Sequence, residues 1–128
     1  LRYAGLNPAL VACVVTWLTI PSLDYVYQNN IAGWRSQIET HYGVTWPAPL
    51  PANADPNGTQ LRPNLAHIPL QLWHSRTDVY SDSSSPFATF ATATHADARD
   101  TGTQGHTDAS IAATDVDDMI SFIHRHIP

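Results

Sequence analysis

Ile68–His74, read with the residues that follow it, runs IPLQLWH-SRTD to Asp78. Leu70, Leu72 and Trp73 put apolar side chains on both faces of an extended segment. A strand covered by helices on both sides reads this way. A second run, Leu10–Thr16 (LVACVVT), has the same character: short, β-branched and apolar throughout. Two buried strands of this kind, separated by helical patterns, predict a parallel sheet joined by crossovers, an α/β fold.

The rest of the chain fits around these two strands. Residues 1–8 (LRYAGLNP) read as the end of a helix closed by Asn7-Pro8, because proline cannot continue a helix. Pro21–Asp24 reads as a turn. Ile31, Trp34, Ile38 and Tyr42 recur at helical spacing, with Gly43 as terminator. Residues 46–64 hold five of the ten prolines and read as an irregular insertion within one domain, not a linker between two. A helix is expected from Ser85-Pro86, with Phe87, Phe90 and Ala91 facing inward. A weak strand is expected near 98–103. The last helix carries a capping-box-like pair, Thr114 and Asp117, an apolar stripe of Val116, Met119, Ile120 and Ile123, and a basic end at Arg125 and His126. Asp115, Asp117 and Asp118 suit its positive end.

Composition excludes several classes. The chain has 128 residues and is 43% hydrophobic, enough to bury a core but no larger than one compact domain. It has no lysine, six scattered arginines and a net charge of −5, so a nucleic-acid footprint is absent. No apolar run approaches the ~20 residues of a membrane span. Cys13 is alone in an apolar run, which reads as a small core residue, permits no internal disulfide and leaves the compartment undetermined.

Two places carry chemistry. Asp78 follows the Ile68–His74 strand, and the carboxyl ends of parallel strands are where ligands and catalytic groups collect. On position alone, Asp78 serves equally as a turn cap. Gly105-His106-Thr107-Asp108 lies just before the last helix. A glycine there permits a bend that projects an imidazole able to take and return a proton near neutrality. The plain alternative is a surface histidine in a polar loop. The remaining histidines show no ligand spacing for a metal, and Asp82 ranks well behind Asp78 as an acid.

Strand, acid, helix, weak strand, Gly-His and amphipathic helix follow one another here, and over nearly its whole length the chain resembles the C-terminal portion of an α/β-hydrolase. IPLQLWHSRTDVYSD is similar to the family's acid-bearing strand and turn, with Ser75 where glycine is usual after the histidine. GHTDA resembles its histidine loop, and HYG before the insertion resembles the prolyl oligopeptidase-like branch. The family orders its triad serine, acid, histidine. The resemblance therefore implies Asp78 as the acid and His106 as the base. Trp46 in the insertion and Tyr80 beyond the acid are the substrate-binding candidates, and no cofactor or metal is implied.

No Gly-x-Ser-x-Gly occurs, and no serine present sits in a glycine-flanked strand-to-helix elbow. By resemblance the nucleophile lies one to two helical turns before Leu1, on an N-terminal half that is either a separate processed chain or upstream sequence. The isolated chain is then expected to be inactive. The other readings are a non-catalytic hydrolase-like module used for binding or assembly, and an unrelated small α/β domain in which the Asp and Gly-His patterns coincide by chance.

Overall fold

The computed structural model describes residues 1–79, 86–102 and 112–127. Helix α1 (Arg2–Leu6) leads through a 3-10 turn at Pro8–Leu10 to strand β1 (Val14–Trp17). Helices α2 (Leu23–Asn29), α3 (Arg35–Tyr42) and α4 (Arg62–Leu65) precede strand β2 (Leu70–His74). Helix α5 (Phe87–Ala93), strand β3 (Asp97–Asp100) and helix α6 (Ala113–His126) complete the described elements. The strands form one parallel sheet in the order β1-β2-β3, with Val14 opposite Leu70 and Gln71 opposite Asp97. The α/β class expected from the two apolar runs is therefore present at this small scale.

Strand β2 sits in the middle, and its residues Leu70–Trp73 are all buried. Leu70 and Leu72 point to one side, where they pack with Ala4 of α1, Leu65 of α4, and Phe87, Phe90 and Ala91 of α5. The inward residues expected for α5 are thus the ones buried. The other face is polar at its centre. Gln71, fully buried, donates to the carboxylates of Asp97 and Asp118 at 3.3 and 3.2 Å and accepts from the Trp73 indole at 3.1 Å. Arg99 bridges the same two aspartates. Helix α6 lies over this network and buries Phe122.

A second, smaller core gathers Val26, Tyr27 and Ile38 of α2 and α3, with Val44 and Leu50 packed against it. Among the described residues, no helix is long and apolar enough to cross a membrane.

Several sequence expectations need correction. Leu10 lies in the 3-10 turn, and the first strand begins only at Val14, where Pro69 supplies a carbonyl to its N–H. Pro21–Asp24 opens a helix rather than a bare turn, because Ser22 caps α2 by accepting the Tyr25 N–H at 3.2 Å. The helix expected across 30–42 is broken, since Asn30 and Ala32 adopt left-handed backbone. Pro86 stands at the cap position of α5 instead of its first turn.

In α6 no capping box forms: Ala112 is the cap and makes no side-chain bond. Its stripe is rotated as well. Phe122 is buried, whereas Val116 and Ile120 are exposed. Asp118, read from sequence as a dipole partner, instead faces the sheet. The weak strand starts at Asp97 and ends at Asp100, ahead of its expected limit. Cys13 is half-buried.

Candidate functional site

The carboxyl end of β2 turns sharply through Ser75–Asp78, and three sets of bonds hold that turn to the end of β3. The His74 carbonyl accepts from the Thr101 N–H at 2.7 Å and from its hydroxyl at 3.0 Å. The Gly102 carbonyl accepts from the Arg76 N–H at 2.8 Å and the Ser75 hydroxyl at 3.1 Å. Arg76 and Asp100 form an ion pair at 2.7 Å across the rim. Gly102 adopts φ +87°, a conformation L side chains rarely take, and its N–H donates to Asp100 at 2.7 Å. The two strand ends thus form one laced body.

Asp78 sits inside it. Its N–H donates to the Ser75 carbonyl at 3.1 Å, closing the turn, and the residue is only 1% exposed. A carboxylate that far from water requires hydrogen-bonding or charged neighbours to remain ionised. Ser75, which the sequence offered only as a departure from glycine, is fully buried and is the side chain that joins the acid turn to Gly102.

His74 lies beside this turn, its ring 4.3 Å from that of Phe87. Among the described residues its Nδ1 is buried without a hydrogen-bond partner. Burial holds its pKa below the ordinary histidine value, against the raising influence of Asp100 and Asp78 and alongside the lowering influence of Arg76. The imidazole is therefore neutral at neutral pH.

His106 and Tyr80 lie outside the described residues, as does Asp82. Trp46 is held at the other small core. Its ring lies 4.8 Å under the Arg35 guanidinium, and its N–H donates to Glu39 at 2.7 Å. Among the described residues, no hydrogen bond or ring contact joins Trp46 to the Asp78 turn. No group of three or more His, Cys, Asp or Glu side chains there is arranged to hold a metal.

The insertion is anchored rather than loose. Asp55 accepts from the Leu23 N–H at 2.9 Å, the Asn57 N–H at 3.2 Å and the Ser22 hydroxyl at 3.2 Å, so it clamps 55–57 to the start of α2. Burial raises the Asp55 pKa, and those donors partly oppose the rise. An open cleft of about 650 Å³ lies between α2, this clamp and Thr89 of α5. Sequence reasoning passed over Asp55, although Asp-Pro-Asn-Gly is a recognisable turn. Two of its three donors, Ser22 and Leu23, lie 33 and 32 residues away in the chain and have no local signature.

Compared with known proteins, the chain matches no family model, no curated protein and no solved structure.

Proposed function

We propose that this chain is the C-terminal portion of an α/β-hydrolase-fold serine hydrolase, contributing Asp78 as triad acid and His106 as general base. The observation that carries the reading is the buried carboxylate at the end of β2, in a turn bonded through Ser75 and Arg76 to Gly102. Gly102 precedes His106 by four residues, a stretch that spans at most ~14 Å. A stretch of that length is long enough for the imidazole to meet the acid in the proposed triad.

The chemistry follows from the two groups. His106 takes the proton of a serine hydroxyl as that oxygen attacks an ester or amide carbonyl, and then returns it to the leaving group. Asp78 fixes the imidazole tautomer and stabilises the imidazolium. A carboxylate shielded from water does this more strongly than a solvated one. The serine and the oxyanion-binding amides belong to an N-terminal part carrying the nucleophile. Tyr80, two residues beyond the acid, and the half-exposed Trp46 are the aromatic side chains assigned to the substrate.

Fluorophosphonate labelling of the complete protein tests the reading. A reactive serine is expected, and His106→Ala lowers hydrolysis of an activated ester by at least ~1,000-fold, in keeping with loss of a triad member. Unchanged hydrolysis in that variant removes His106 from the mechanism. A complete protein without a reactive serine favours the non-catalytic module instead.

A further inference from the structure

Helix α6 buries Phe122 and turns Asp118 to Gln71 and Arg99, which accounts for its inner face. It carries a second apolar face. Val116, Ile120 and Ile127 stand 39, 44 and 47% exposed, and the half-buried Ile123 lies between the last two. These four residues follow one another in steps of four, three and four, the spacing of one continuous helical stripe. At about 100° per residue the stripe lies roughly a third of a turn from Phe122, away from the sheet. An apolar seam of this kind, bordered by charge, is how one helix packs on another.

The polar groups beside the stripe identify the helix it fits. By the same rotation, Asp117 and His124 fall on one shoulder, Asp115 and His126 on the other. Both aspartates stand toward the N-terminal end of α6 and both histidines in its last turn. Asp117 and His124 are equally far from the point between Ile120 and Ser121, and so are Asp115 and His126. A second α6 laid antiparallel about that point therefore sets each aspartate opposite a histidine of the other copy. In either protonation state an imidazole offers an N–H to a carboxylate. The arrangement also places the positive end of each helix dipole beside the negative end of the other. Parallel pairing instead sets aspartate against aspartate. The Asp117/His124 shoulder is fully exposed, whereas Asp115 is half-buried and the His126 ring lies 4.6 Å from that of Phe122.

We infer that α6 docks on a second copy of itself: two molecules associate through antiparallel α6 helices centred between Ile120 and Ser121. The Val116–Ile127 stripes interleave along the seam, and Asp117 of each copy meets His124 of the other. A helix of 14 residues spans about 21 Å, so the contact is a small one and the association is reversible, in roughly the micromolar range. The inference is independent of the hydrolase reading, because no residue in it belongs to the proposed triad.

Sedimentation equilibrium of the complete protein, over a range of concentrations, provides the test. A monomer–dimer equilibrium is expected. Asp117→Lys and His124→Asp, both on the exposed shoulder, are each expected to weaken it at least ~5-fold, since the dyad makes every change count twice. The double variant Asp117→Lys/His124→Asp restores opposite charges across the seam and is expected to return within ~2-fold of the parent. Within one helix these two positions lie about 10 Å apart along the axis, so a rescue of this kind arises between copies. Ile120→Asp, beside the dyad, is expected to abolish the dimer while circular dichroism keeps the parent's spectrum. A protein that stays monomeric throughout overturns the inference, whatever then covers the stripe. A double variant no tighter than the single ones overturns the antiparallel pairing, and a dimer indifferent to all these substitutions places the contact on another surface.

Discussion

Ser75 and His74 are neighbours with opposite problems. Ser75 is buried and well bonded, so its removal has a definite cost. Ser75→Ala leaves the Gly102 carbonyl short of one donor in a water-poor turn, and the expected loss is about 1–3 kcal/mol of unfolding free energy, measured by urea titration. His74 is partly buried, and its proton affinity is lowered by that burial. The unfolded chain therefore binds the proton first. The stability associated with His74 is fully present above the unfolded histidine pKa of about 6.5 and is lost as pH falls through the lower folded value. A His74→Gln chain should show a flatter decline in unfolding midpoint as pH falls below about 6.5 than the parent does. An identical slope in both would mean another group drives the acid limb.

At the scale of elements, the clamp at Asp55 decides whether the proline-rich insertion is a fixed wall or a loose flap. Three donors converge on one carboxylate, and two of them, the Leu23 N–H and the Ser22 hydroxyl, belong to the start of α2. Asp55→Ala is expected to cost about 1–3 kcal/mol and to open 46–64 to limited proteolysis. Asp55→Asn should cost less. Its amide oxygen still accepts both N–H groups, and it does not pay the burial cost that raises the native pKa. The same scale explains the altered face of α6. An amphipathic stripe read from sequence assumes an apolar floor, but β2 and β3 offer Gln71, Asp97 and Arg99 there, and the helix turns Asp118 toward them. Helical periodicity identifies a helix; the surface beneath it selects the face.

At the scale of the whole molecule, the exposed apolar side chains Tyr3, Leu6 and Leu10 are expected to govern how the chain behaves in solution. Leu10 is 74% exposed and belongs to neither core. Leu10→Ser is expected to leave the unfolding free energy within ~0.5 kcal/mol of the parent while raising the concentration at which light scattering begins. Unchanged scattering would place the sticky surface elsewhere.

Local residue chemistry determined much of this protein. The two apolar runs set the parallel strands, Phe87, Phe90 and Ala91 set the inner face of α5, and the strand-end position singled out Asp78. These signals lie within a few residues of one another, where backbone periodicity and burial act directly. Only the tertiary structure decided that Asp78 is sealed from water and that Ser75 laces its turn to Gly102. It alone showed that Asp55 pins the insertion to α2, that α6 rests on polar groups, and that β1 pairs with β2 alone among the described strands. Each of those pairs side chains far apart in the chain, and no local pattern records a distant partner before folding brings it into contact.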